Sequence, residues 1–236
     1  MTILDPRGTG VWPKRLPQLS DEQRRVRDQF MTRWLEVLPN RYGLIERFNH
    51  NYPLEGNPTG RTLEIGAGLG EHLRYEDLSR QEYYAVELRE ELREAIHERY
   101  PSVEAIVADC QERLPFNDAY FDRVLAVHVL EHLSDLPRAL DEIQRVLDPG
   151  GRFHAVIPCE GGLAYSLARR VSAQRLFEKE FDMSYEWLIR SEHVNVPWEI
   201  LLELRKRFRL VGSRYFPFRV RSVTLNLVIG LTLERL

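Results

Sequence analysis

A short apolar run that ends in three closely spaced glycines constrains this 236-residue chain more than any other feature. Residues 62–65 are the run, and Glu64-Ile65-Gly66-Ala67-Gly68-Leu69-Gly70 carries it into a turn. Glycine lets a backbone take left-handed dihedrals and come close to a ligand with no side chain in the way. From Arg61 onward, apolar runs alternate with helical segments. Residues 83–86, 103–108, 121–129 and 153–157 read as further strands, and residues 89–99 and 137–147 as helices. Leu136, Leu140, Ile143 and Leu147 share one face of the second helix, and Asp148-Pro149-Gly150-Gly151 reads as a turn. A helix over 200–208 and two strands over 210–216 and 223–233 complete the pattern. Strands that are apolar throughout and alternate with helices predict a parallel sheet covered on both faces. Such sheets hold ligands beyond the carboxyl ends of their strands.

The flanks look different. Pro6, Gly8, Gly10, Pro13 and Pro17 keep residues 1–19 irregular. Ser20 and Gln23 have capping-box spacing, and Val26, Phe30, Trp34, Val37 and Leu38 follow at helical spacing until Pro39 stops the helix. A second short helix carries Leu44, Ile45 and Phe48, and residues 49–60 read as loop. Residues 159–198 break the strand–helix rhythm and read as an insertion over the strand ends. The expected organisation is one domain: residues 1–60 as N-terminal arm and helices, residues 61–236 as the main body, with 1–60 and 159–198 together forming a lid.

Charge and cysteine usage narrow the class. Lys plus Arg number 33 and Asp plus Glu 36, a balance that argues against a dedicated nucleic-acid binder. Two cysteines cannot form a disulfide framework and suit a reducing compartment. The first 15 residues hold no apolar core of a signal peptide, and residues 225–233 are about half as long as a membrane span. The expectation is a soluble, cytoplasmic protein without a transmembrane segment. Nothing in the sequence reports on oligomeric state.

The acids sharpen the glycine turn. The spacing is G-x-G-x-G, with Glu64 two residues ahead of the first glycine. Glu87 ends the second strand, where a carboxylate can accept both hydroxyls of a ribose. Asp109 ends the third. The segments E-I-G-A-G-L-G (64–70), A-V-E (85–87), A-D (108–109), L-P-F-N-D-A-Y-F-D-R-V (114–124), H-V-L-E-H-L (128–133) and R-V-L-D-P-G-G (145–151) occur in that order. Together they resemble the class I S-adenosylmethionine-dependent methyltransferases, type 11-like, and are similar to the small-molecule group that includes quinone-biosynthesis enzymes. The resemblance covers residues 61–158. It implies a Rossmann-like seven-stranded sheet, mostly parallel with the last strand antiparallel and helices on both faces. It implies S-adenosyl-L-methionine as cofactor and a small-molecule methyl acceptor. By position, Gly66, Ala67, Gly68 and Gly70 would wrap methionine and ribose, and Glu64 would orient the loop and the methionine amino group. Glu87 would hold the ribose hydroxyls with Leu88 under the adenine. Asp109 and Cys110 would meet the adenine, and His128 would offer its backbone carbonyl near the methionine end. The stretch between Gly70 and Tyr83 is short and polar, so the family's first helix is expected to be clipped.

Plainer readings stand beside these. Glu87 can be a solvated strand-end acid and Asp109 a turn residue. Cys110 and Cys159 read as small fillers rather than nucleophiles, since no activating base adjoins them in sequence. His97 and His154 read as surface or half-buried residues, and His72 as close to the donor or simply packed. The candidate acid–base groups are His132, just past the fourth strand, and His193, in the polar cluster of residues 190–195. His128, Glu131 and His132 form H-x-x-E-H, the spacing of an inverted zinc-protease motif. That motif needs a helix, and a strand reaching His128 separates the two rings, so no metal site is expected. A further alternative is a cofactor-binding module of the same fold that transfers no methyl. Residues 205–221 hold seven bases and no acid. They read as a solvated face, as a site for an anionic, phosphate-bearing substrate, or as a contact for a transient anionic surface.

Overall fold

A computed structural model describes residues 10–56 and 58–236, so the reading of Pro6 and Gly8 within the arm lies outside the described residues. Seven strands form one sheet: β1 (Gly60–Ile65), β2 (Gln81–Glu87), β3 (Glu104–Val107), β4 (Phe121–Val127), β5 (Leu147–Pro158), β6 (Phe208–Phe216) and β7 (Val228–Arg235). Their order is β3-β2-β1-β4-β5-β7-β6. All pairs from β3 to β5 are parallel, and β7 runs antiparallel between β5 and β6. The expected sheet is therefore present, with the last strand in the chain as the reversed one.

Alternation along each strand divides the core. Leu63 and Ile65 join a large cluster with Ile143 of α4 (Leu136–Val146) and Leu204 of α8 (Pro197–Arg207). Ala85 and Leu125 face the other side, where Ile96 of α3 (Glu90–Arg99) covers them. Tyr52, following α2 (Gly43–Asn51), covers Val156 and Val228 on that second face. Asp135 caps α4 by accepting from the Arg138 N–H, and Pro137 sits in the first turn, where a missing N–H costs nothing.

Where the first helix is clipped, only two 3-10 turns remain, His72–Tyr75 and Leu78–Arg80. A buried polar network takes the helix's place. Arg123 donates to Glu76 at 2.5 Å and to the Pro53 carbonyl at 3.1 Å. His72 bridges Glu76 at 2.6 Å and His50 at 3.2 Å, so it is a packed residue rather than one near a donor. Burial alone would raise Glu76, but His72 and Arg123 more than offset it and hold the carboxyl at about 2. His154 is buried in β5 rather than half-exposed, and burial next to Arg123 lowers it to about 3.

The insertion and the N-terminal segment form their own apolar cluster. Ser20 and Gln23 close the expected capping box at the start of α1 (Asp21–Arg41). Phe30 of α1 meets Phe177 of α6 (Ala173–Phe181) edge-on at 5.1 Å. Tyr185 and Leu188, at and within α7 (Glu186–Glu192), close the cluster.

Several boundaries differ from expectation; the last strand begins at Val228 rather than at 223, and β4 ends at Val127 rather than at 129. The first helix continues past Pro39 to Arg41. Pro39 lies in its last turn, where little of the hydrogen-bond ladder is left to break. Asp148-Pro149-Gly150-Gly151 is no free turn but a bulge inside β5, because pairing with β4 jumps from Phe121↔Leu147 to Arg123↔Arg152. The loop over 49–60 is shorter, since α2 extends to Asn51 and Tyr52–Leu54 adds a 3-10 turn.

Two predictions follow from the packing. Phe177→Ala removes a fully buried ring and lowers stability by about 3–5 kcal/mol in urea denaturation, with amide exchange accelerated first in α1, α6 and α7. Glu64 is pushed up to about 8 by burial from an ordinary 4.5, so the native state keeps a proton that the unfolded chain releases. That contribution is fully present below pH 4.5 and is lost as pH rises through 8. Glu64→Gln therefore loses less stability than the parent between those limits, measured by urea denaturation across the window.

Candidate functional site

The glycine turn leaves the end of β1 at the rim of the sheet. Gly66 has φ 66° and Gly68 φ 61°. A Cβ on Gly66 would lie 2.6 Å from a Val129 methyl, so only glycine fits both the dihedral and the space. The Gly66 N–H donates to Val86 at 2.9 Å, and the Gly70 N–H to Ala67 at 2.9 Å, which closes the turn. Parallel pairing of Ile65 with Val86 brings the residue after Val86 level with the loop. Glu87 then reaches across, and its carboxylate accepts from the Gly68 N–H and, at 3.2 Å, from the Leu88 N–H. Burial raises the Glu87 carboxyl, opposed by these two N–H donors. Leu88 is 63% exposed beside it, an apolar shelf at the rim.

Other expected cofactor residues are arranged differently. Glu64 points beneath the sheet, where the Tyr83 hydroxyl donates to it at 2.8 Å; its carboxyl does not bond the loop amides. The cause is strand alternation, which puts Glu64 on the face opposite Leu63 and Ile65. Asp109 lies past β3 and accepts from the Gln111 N–H at 2.8 Å and from the Gln111 side-chain amide, as a turn residue does. Gln111 in turn accepts from Ser134 and from the Asp135 N–H, tying this loop to the start of α4. Burial pushes the Cys110 and Cys159 thiols up to about 12, which makes both inert fillers at neutral pH.

β4 ends at Val127, and His128 turns the chain with φ 55°. The helix that H-x-x-E-H would need is absent here, because β4 is paired on both sides. The His128 Nδ1 instead contacts Glu131 at 3.1 Å.

His132 and His193 come together. Their rings meet edge-on with centroids 4.9 Å apart. The contact is built by backbone. The Val194 and Asn195 N–H groups donate to the Glu131 carbonyl at 2.9 and 3.0 Å. The Asn195 side-chain amide donates to Leu130 at 2.8 Å and to Leu133 at 2.7 Å. From outside, the arm seals this joint: Trp12 donates to the Asn195 side chain, and the Lys14 N–H to Ser134 at 2.8 Å.

Two buried carboxylates back the rings. The Nδ1 of His193 bonds Glu160, which also lies 3.5 Å from Arg169. Glu131 is 1% exposed; its Oε1 faces His128 and its Oε2 has no hydrogen-bond partner among the described residues. Burial would raise Glu131, but His128, His132 and His193 hold it down at about 2. Burial and the neighbouring His193 lower His132, so its ring is neutral at pH 7. The neutral His132 ring beside the ionised Glu131 can accept a proton from a bound molecule. Ligand atoms of Glu131, His132 and His193 lie within 4.8 Å of one another, so this trio, with His193 in place of His128, has the donor set for a metal ion. Glu160 and Asn195 carry no role in the sequence reading. An acid directly after the apolar run of β5, like Glu87 after β2, was the available signal for Glu160.

Residues 63–155 match a family model described as a methyltransferase domain. A 42-residue stretch is 51% identical to the ubiquinone/menaquinone biosynthesis C-methyltransferase UbiE of Bordetella avium, covering 18% of this chain and 16% of that protein. A 95-residue stretch is 38% identical to the mitochondrial arginine-hydroxylase NDUFAF5 of Rattus norvegicus, covering 39% of this chain and 26% of that protein. Matched segments thus span only a minor part of these relatives' lengths. Among solved structures, the PH0226 protein of Pyrococcus horikoshii superposes with a TM-score of 0.62 at 19% identity, over 86% of this chain and 99% of that one.

Asn195→Ala orphans two buried carbonyls at once. It lowers stability by about 2–4 kcal/mol in urea denaturation.

Proposed function

Residues 63–155 form a domain of the class I S-adenosylmethionine-dependent methyltransferase family, and on that premise we propose that the chain methylates a small-molecule acceptor, on oxygen or carbon. The observation that supports this most is the Glu87 carboxylate lodged against the Gly68 amide at the rim. A buried carboxylate beside a glycine-only turn, with an exposed apolar side chain next to it, suits a nucleoside: hydroxyl donors for Glu87 and a flat ring for Leu88. S-adenosylmethionine, when bound, supplies a methyl group already activated by a positive sulfur.

The chain's own residues then hold and exclude. The backbone of Gly66, Ala67, Gly68 and Gly70 makes room for methionine and ribose, and the His128 carbonyl lies toward the methionine end. Asp109 and Cys110 border the adenine side, with Asp109 acting through its turn with Gln111. Glu64 supports the loop from below through Tyr83. Holding an acceptor in line can contribute about 7–11 kcal/mol of barrier lowering. His132 and His193 take up the acceptor's proton, with Glu160 orienting His193 and stabilising its charged form. α1, α6 and α7 close over the rim as a lid. Buried free thiols at Cys110 and Cys159 support a reducing, cytoplasmic setting.

One observation favours a second reading. A relative named as a hydroxylase matches the same kind of segment. A domain that binds the cofactor without transferring its methyl is therefore the alternative. It predicts tight donor binding and no demethylated product with any acceptor. A zinc hydrolase predicts stoichiometric zinc in the purified protein, which elemental analysis reads directly.

Glu87→Ala weakens S-adenosylmethionine binding in calorimetry by about 1–3 kcal/mol, the cost of unpaired ribose hydroxyls. An unchanged affinity contradicts the site. His193→Ala lowers turnover by about 10²–10⁴-fold, the usual worth of a positioned base, while donor affinity stays the same.

A further inference from the structure

We propose that α5 (Leu163–Val171) and the 217–225 segment together dock this protein on an anionic lipid surface. α5 is the anomaly that prompts this. Neighbouring α6 of the same insertion buries Ala173 and Phe177, whereas α5 buries no residue. Leu163, Leu167 and Val171 recur every four residues on one face and are 60%, 53% and 74% exposed. An amphipathic helix of this kind ordinarily covers a core, and here its apolar stripe faces outward.

The second element is a built loop. Buried Asn226 accepts from the Phe218 N–H at 2.8 Å and donates to the Val220 and Ser222 carbonyls at 2.9 and 2.8 Å. The backbone is thus pinned, yet Phe218 and Val220 project outward, 59% and 56% exposed. The two elements adjoin, since the Ala164 N–H donates to Thr224 at 3.0 Å.

Charge selects the occupant. Residues 161–177 contain three arginines and no acid, and residues 205–233 contain seven bases and no acid. Arg207, Arg209 and Arg214 are paired with Glu203, Glu234 and Glu55. Arg170, Arg219 and Arg221, which flank the apolar tips, are exposed and form no ion pair among the described residues. Apolar tips that enter the headgroup boundary, ringed by guanidinium groups that meet phosphates, suit an anionic bilayer. A nucleic acid would use the arginines but give the Leu, Val and Phe side chains nothing to contact.

Location adds a consequence. β5 and the start of β7 place both elements on the rim that carries the glycine turn and the Glu160–His193 pair. A bilayer seated there lies on the acceptor's side, so the acceptor would be an apolar molecule resident in the membrane. That consequence rests on the methyl-transfer reading; the docking itself does not.

The test is co-sedimentation of the full chain with phosphatidylcholine vesicles, with and without phosphatidylglycerol, in the absence of cofactor. Binding is expected only with phosphatidylglycerol and should weaken with added salt. Arg219→Gln and Arg221→Gln should each weaken it about fivefold. Phe218→Ser with Val220→Ser should weaken it by about tenfold or more. S-adenosylmethionine affinity, measured in parallel, should be unchanged in all variants, which reports that they are folded and keeps the two readings separate. No sedimentation of the parent chain with anionic vesicles overturns the proposal, as does equal binding to both vesicle types. Full binding by the Phe218/Val220 variant also overturns it, since that outcome leaves charge alone.

Discussion

The rim of this sheet depends on one hydrogen bond, from the Gly68 N–H to the Glu87 carboxylate. Parallel pairing of β1 with β2 sets the register, and left-handed dihedrals at Gly66 and Gly68 aim the amide at the neighbouring strand's end. Any other residue at 66 would strain the backbone and strike Val129. The carboxylate is mostly buried, so it is held only by donors that can be exchanged for others. An acid in that position is both a structural clamp and a ready acceptor for hydroxyl groups.

The opposite face shows what shortening the first helix entails. A helix would have covered β1 and β4 with apolar side chains. Here Glu64, His72, His50 and Arg123 lie buried instead, together with the Glu76 side chain. Such a network stabilises only when nearly every group is paired. Glu76 is paired with His72, Arg123 and Gln81, while Arg123 Nε lacks a partner among the described residues. The network's acids ionise oppositely: burial pushes Glu64 up, whereas the His72 and Arg123 contacts outweigh burial at Glu76 and hold it low.

Much of this was legible in the residues. The glycine turn, the acid at the end of β2 and the strand–helix rhythm are local signals, and each lands where its spacing put it. The capping box at Ser20 was equally readable. Roles that depend on which face a strand turns were not. Glu64 and His154 are ordinary letters in apolar strands, and only the tertiary arrangement sends both into the buried network. The meeting of His132 with His193 joins residues 61 positions apart through the Asn195 clamp, which no periodicity encodes. The bulge at Asp148–Gly151 reads as a turn because proline and glycines serve both.

The insertion after β5, the histidine pair and the glycine turn all follow strand ends on one edge, so the position of a bound nucleoside decides the account. The most direct measurement is a crystal structure with the demethylated donor product. The account predicts that Glu87 releases Gly68 and takes both ribose hydroxyls, with the sulfur directed toward His132 and His193. A nucleoside bound away from residues 66–70 while Glu87 still grips Gly68 would contradict it.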